Sequence, residues 1–152
     1  MDIPITLPLD SDGFLRRECP KCEREFKWHE GPTEDRPQDW NDPPVYWCPL
    51  CGQASEHDQF FTHDQVDFME ESAAGAALEM AANDLEKSLR GVRGLSYKRS
   101  GRNDDPEPPD PLVEPDDMLQ VKSPCHPWEP VKIPDSSSAP YYCLACGEAY
   151  TV

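Results

Sequence analysis

Six of the seven cysteines fall in Cys-x-x-Cys pairs: Cys19-Pro20-Lys21-Cys22, Cys48-Pro49-Leu50-Cys51 and Cys143-Leu144-Ala145-Cys146. Such a pair aims two sulfurs at one point, and two pairs offer four thiolates to a tetrahedral Zn²⁺ at about 2.3 Å each, leaving no corner open for substrate. Cys19, Cys22, Cys48 and Cys51 make one complete set, in which Pro20 and Pro49 stiffen the two turns. That chemistry is structural, with metal taking over the work of a core.

The remaining cysteines make an incomplete second set. Cys125 has no cysteine three residues to either side, where Lys122 and Trp128 stand instead, so Cys125, Cys143 and Cys146 need a fourth donor. His126 is the nearest and would give a Cys₃His site. A more distant His57 or His63, the carboxylate of Glu129, or water are the alternatives. Water in the fourth corner would open the metal to Lewis-acid chemistry, but no general base is placed to use it. His29 adjoins the first set, which already has four sulfurs.

The elements that must hold these ligands follow from the flanking patterns. Glu23-Arg24-Glu25-Phe26-Lys27-Trp28 alternates polar and aromatic residues as a half-buried strand does, and Val45-Tyr46-Trp47 leads into the second pair, so the two predict a hairpin with metal across one end. Residues 29–44 between them read as a polar loop. Residues 1–17 alternate as an extended arm, confined by Pro4 and Pro8 to a sheet edge, with Arg16 and Arg17 beside the first thiolates. Near the C-terminus, Ala139-Pro140-Tyr141-Tyr142-Cys143 through Gly147 repeats Pro43-Pro44-Val45-Tyr46-Trp47-Cys48 through Gly52, and Val131-Lys132-Ile133 stands for the earlier strand.

Between the two sets lies a helix. Thr62 and Gln65 form a capping box, Asp64 suits the dipole, and Gly91 is placed for a left-handed cap. Ala74, Leu78, Ala81, Leu85, Leu89 and Val92 recur at the helical period, and this alanine-rich face predicts close packing on the ribbons or on a second copy of the chain. Residues 87–102 carry Lys87, Arg90, Arg93, Lys98, Arg99 and Arg102 with Tyr97 among them, a pattern that complements the helix dipole or contacts phosphate. Residues 104–117 are rich in proline and carboxylates and predict an extended, self-repelling linker.

Composition limits the fold and the partners. With 152 residues, 37% of them hydrophobic, and 18 prolines, the chain suits small units better than one continuous core. A formal charge of -16 repels nucleic-acid phosphates and favours solubility or a basic partner. Neither a leader-like N-terminus nor an apolar run of about 18 residues is evident. An odd cysteine count argues against a disulfide framework, so a reducing cytoplasmic setting is expected.

Cys-Pro-x-Cys at 19–22 followed by Cys-Pro-x-Cys-Gly at 48–52 resembles the zinc-ribbon group of small metal-binding domains, over about residues 14–56. The resemblance implies a small metal-stabilised α+β fold with two zinc ions. Its parts would be an N-terminal ribbon with an extended arm (1–61), a long amphipathic helix (62–92), a basic then acidic and proline-rich linker (93–117), and a second, degenerate ribbon (118–152). Rubredoxins use similar knuckles for iron, but Glu23 stands where a rubredoxin has glycine. The ligands expected are Cys19, Cys22, Cys48 and Cys51, then Cys125, His126, Cys143 and Cys146. Because zinc ribbons serve many functions, the expected role is general: a non-catalytic zinc protein that meets another protein, with homodimer formation through the helix as one route. A nucleic-acid-binding regulator and an electron carrier are the alternatives; no membrane contact or small-molecule substrate is expected.

Overall fold

The computed structural model describes residues 5–90, 94 and 108–152. Two compact units result, one built from residues 7–63 and 113–152, the other containing residues 64–112 with the N-terminal residues.

The first unit carries every strand among the described residues. In chain order these are β1 (Phe14–Glu18), β2 (Glu25–His29), β3 (Tyr46–Trp47), β4 (Ala54–Ser55), β5 (Met118–Val121), β6 (Val131–Pro134), β7 (Tyr141–Tyr142) and β8 (Ala149–Tyr150). A four-stranded antiparallel sheet has the order β1-β2-β6-β5, while β3-β4 and β7-β8 form separate two-stranded ribbons. A longer hairpin followed by a short one thus occurs twice, and the two longer hairpins join through β2 and β6.

That junction changes the domain organisation expected from sequence. The stretches read as separate ribbons, within 1–61 and 118–152, meet as halves of one unit, with Lys27 opposite Lys132 and Trp28 opposite Val131. The expected pairing of 26–28 with 45–47 is also replaced. β2 pairs with β1 from Phe14↔His29 to Glu18↔Glu25, and β3 pairs with β4, because each Cys-x-x-Cys turn closes a hairpin between its own flanking strands. The strand at the end of the N-terminal arm is therefore Phe14–Glu18, beyond both prolines.

Strand β2 is buried on both faces. Phe26 and Trp28 point into an aromatic core, where Phe26 meets Phe60 edge-on at 5.8 Å and Trp28 meets Tyr46 at 5.0 Å. Leu15, Val121, Val131, Ile133, Tyr141, Leu144 and Tyr150 complete this core. Truncating a fully buried phenylalanine such as Phe26 costs about 3–5 kcal/mol.

The opposite face of the sheet holds charge. Lys27, with no exposed side-chain surface, sits 2.9 Å from Glu114, 3.1 Å from Asp117 and 3.3 Å from Asp10, and donates to the carbonyl of Pro115. Lys132 lies 2.8 Å from Asp10 and 2.7 Å from Asp12. Arg16 reaches Glu25, Glu114 and Asp117 at 2.8, 3.0 and 2.7 Å. The end of the expected self-repelling linker is therefore drawn onto the sheet, where the carboxylates at 114 and 117 meet Lys27 and Arg16. Residues 104–107 of that stretch lie outside the described residues.

The second unit is dominated by α1 (His63–Leu89). Thr62 occupies the residue before it, as the capping box predicts, and Gln65 is its one buried residue. Ala74, Leu78, Ala81 and Leu85 are exposed along the helix and Leu89 is half-buried. Gly91, Val92 and most of the basic 87–102 stretch lie outside the described residues, and Arg90 is 3.9 Å from Glu86 one turn earlier.

Candidate metal centres

The three Cys-x-x-Cys turns share one backbone design. In each, the first cysteine's carbonyl accepts from the N–H four residues on: Glu23 to Cys19 at 2.9 Å, Gly52 to Cys48 at 2.9 Å, and Gly147 to Cys143 at 2.8 Å. The first cysteine's own N–H donates to the carbonyl five residues on, to Arg24, Gln53 and Glu148 at 3.0, 2.9 and 2.9 Å. This knuckle forces its fourth following residue into the left-handed region, with φ of 59° at Glu23, 75° at Gly52 and 76° at Gly147. Two knuckles meet that demand with glycine, while Glu23 carries a side chain into the same strained conformation.

The first cluster gathers Cys19, Cys22, Cys48 and Cys51, with every sulfur within 4.8 Å of the others. Cys19 and Cys51 are 3.7 Å apart and Cys22 and Cys48 are 3.8 Å apart. A regular tetrahedron with metal–sulfur bonds of about 2.3 Å has edges of about 3.8 Å, so the sulfurs stand where a tetrahedral ion holds them. Amide donors face them as well, from Lys21 to Cys19 at 3.3 Å and from Leu50 to Cys48 at 3.4 Å.

Electrostatics fit a cation at the centre. Burial first, then the neighbouring Cys19 and Cys22, drives the Cys48 thiol far above its usual range despite amide donors, and burial raises Cys51 too. Cys22 goes the other way: burial opposes ionisation, but the backbone N–H and guanidinium of Arg24 lower it. Uncompensated, four sulfurs at this spacing resist holding four charges; a divalent ion removes the conflict.

The basic residue serving the cluster is Arg24, which also donates to the Leu50 carbonyl at 2.9 Å. Neither arginine expected beside the thiolates is there. Arg16 is committed to carboxylates, and Arg17 lies buried with its guanidinium 4.4 Å from the ring centre of Trp28 and 4.7 Å from that of Phe61. Position 24 follows Cys22 by two residues, the one signal in the sequence that could have pointed to it.

The second cluster gathers Cys125, His126, Cys143 and Cys146, again within 4.8 Å. Cys125 and Cys146 are 3.5 Å apart, and His126 Nδ1 is 3.4 Å from Cys143 Sγ. These separations suit one ion with sulfur bonds near 2.3 Å and a nitrogen bond near 2.0 Å. In place of a fourth knuckle, Ser123 Oγ accepts from the His126 N–H at 3.2 Å and donates to Cys143 at 3.1 Å. That hydroxyl braces the adjacent Cys-His pair, a role the sequence reading missed.

The other donors considered for this corner are occupied elsewhere. His57 stacks on Tyr46 at 3.9 Å, His63 Nε2 is 3.3 Å from Glu18, and Glu129 accepts from Trp40 Nε1 at 3.2 Å. His29 Nδ1 faces the Gly31 carbonyl at 2.9 Å. Trp40 and Trp128 flank the His126 ring at 5.0 and 5.3 Å, and Thr33 Oγ1 donates to the Trp128 carbonyl at 2.9 Å. The segment 33–40, read as loop only, thus contributes part of the wall of the second cluster.

Comparisons with protein-family models, with curated proteins and with solved structures find no significant match.

Proposed function

We propose that the protein is a non-catalytic zinc protein whose two metal centres are structural and whose role is to present a surface to another protein. The observation that carries this reading is the closure of both clusters by four side chains of the chain itself, which leaves no position for substrate or activated water. Metal matters to the fold because the β3-β4 and β7-β8 ribbons have two residues per strand, far too few to hold the cysteine turns unaided.

Zinc is favoured over iron because the second cluster pairs three sulfurs with an imidazole in a sealed tetrahedron, a structural zinc set. A protein partner is favoured over nucleic acid by the charge of -16. The contact surface we assign is α1, where Leu78 and Leu85 are 57% and 46% exposed amid carboxylates. Affinity capture by the full chain, compared with Leu78→Glu/Leu85→Glu, tests this: loss of captured protein supports the helix as contact surface, whereas capture of nucleic acid that weakens steeply with salt overturns the protein-partner reading.

A further inference from the structure

The two metal centres are interlocked at the residues next to their ligands. Trp47 precedes Cys48, and its N–H donates to the Leu144 carbonyl at 3.0 Å; Tyr142 precedes Cys143, and its N–H donates to the Pro49 carbonyl at 3.0 Å. The exchange is reciprocal, so the β3-β4 knuckle and the β7-β8 knuckle form a pair related by a local two-fold.

Side chains repeat the exchange. A Cβ built on Gly147 would lie 2.5 Å from the Trp47 ring, and one built on Gly52 would lie 2.9 Å from the Tyr142 ring. Each ring therefore rests on the left-handed glycine of the opposite knuckle, the residue whose N–H caps that knuckle's first cysteine. Trp40 against His126 and Thr33 on Trp128 make a further link, from the first half of the chain to the wall of the second cluster.

We propose that the two metal sites load cooperatively: an ion at Cys19, Cys22, Cys48 and Cys51 prepares the site at Cys125, His126, Cys143 and Cys146, and the reverse. This rests on the metal reading above. A knuckle without its ion loses two sulfur bonds and frays. The opposite ring then loses its glycine seat, and the opposite knuckle loses a hydrogen bond one residue from a ligand. Coupling between sites is reciprocal and commonly amounts to about 5–150-fold in affinity.

The test is native mass spectrometry of the full reduced chain titrated with Zn²⁺, beside cobalt titrations read from the thiolate charge-transfer and d–d bands. At half loading, two independent equal sites leave about half of the chains with one ion, whereas tenfold coupling leaves about a quarter. The expected result is a one-ion form at or below that quarter. In Cys22→Ser/Cys51→Ser the second site should bind cobalt at least about tenfold more weakly, and Cys125→Ser/Cys146→Ser should weaken the first site by the same factor. A dominant one-ion form, with each mutated pair leaving the other site at wild-type affinity, overturns the coupling alone. If the variants fail to fold, Tyr142→Ala, which removes the ring seated on Gly52, decides: its one-ion share should rise above the wild-type share, and an unchanged share overturns the coupling. Absence of any cobalt bands or bound zinc overturns the metal reading, and the coupling falls with it.

Discussion

Lys27 and Lys132 stand directly opposite one another on neighbouring strands, both buried, and Asp10 bridges them at 3.3 and 2.8 Å. Two ammonium groups so placed repel unless anions accompany them, and Asp10, Asp12, Glu114 and Asp117 supply the neutralisation. The seam between the two halves is thus held by charge on one face and aromatics on the other. Asp10→Asn should destabilise the fold by about 3–5 kcal/mol, the cost of removing one partner from a buried pair. Denaturant unfolding of the zinc-loaded chain checks this, and a change under 1 kcal/mol would show that the lysines do not depend on Asp10.

The same carboxylate sets an acid limit. Burial favours its protonated form, but Lys132, the backbone N–H groups of Phe14 and Asp12, and Lys27 outweigh burial and hold Asp10 at about 2, below its ordinary 3.8. A folded value depressed below the unfolded one means that the stabilisation is complete above about pH 4 and is lost as pH falls toward 2. Loss of metal begins higher, since the ligating thiols take up protons first. Acid unfolding of the zinc-loaded chain, followed by circular dichroism, should therefore coincide with zinc release and be complete before Asp10 titrates, so wild type and Asp10→Asn should differ little in their acid midpoints.

Knuckle backbones make a contrast between substitutions. Gly52→Ala and Gly147→Ala each add a Cβ at positive φ and drive it into Tyr142 or Trp47, so each should cost about 2 kcal/mol or more. Glu23→Gly relieves a side chain from φ of 59° and should be neutral or stabilising by up to about 1 kcal/mol. Thermal unfolding of the three variants with zinc present ranks them, and a destabilised Glu23→Gly would assign the Glu23 side chain a role of its own.

Around the second cluster, His126→Ala removes a donor and Trp40→Ala removes part of the wall. Outer contacts of a metal ligand commonly govern about 10–100-fold in affinity. Trp40→Ala should therefore weaken the second site about tenfold and His126→Ala more, in competition against a chromophoric chelator. Equal wild-type affinity in Trp40→Ala would separate the 33–40 segment from metal binding.

Much of the ligand chemistry is legible in the sequence, because a Cys-x-x-Cys turn is local and its spacing dictates where the sulfurs point. The helix start is legible for the same reason: Thr62 and Gln65 are close in the chain, and α1 begins at His63. What escapes is non-local. Lys27 and Lys132 read as solvent-facing positions of half-buried strands, and nothing near either reveals the strand opposite. The carboxylates at 114 and 117 read as mutually repelling because the cations that attract them, Arg16 and Lys27, lie about 90 to 100 residues earlier. Trp40, set in a polar loop, gives no hint that its ring lies on His126.

The central claim is that two divalent ions hold the cysteine turns in place. Native mass spectrometry of the reduced 152-residue chain tests it most directly, with elemental analysis to identify the metal. Two zinc ions per folded chain, lost together with β-sheet circular dichroism on chelation, is the predicted result. A folded chain without metal, or one whose cysteines are joined as disulfides, would contradict it.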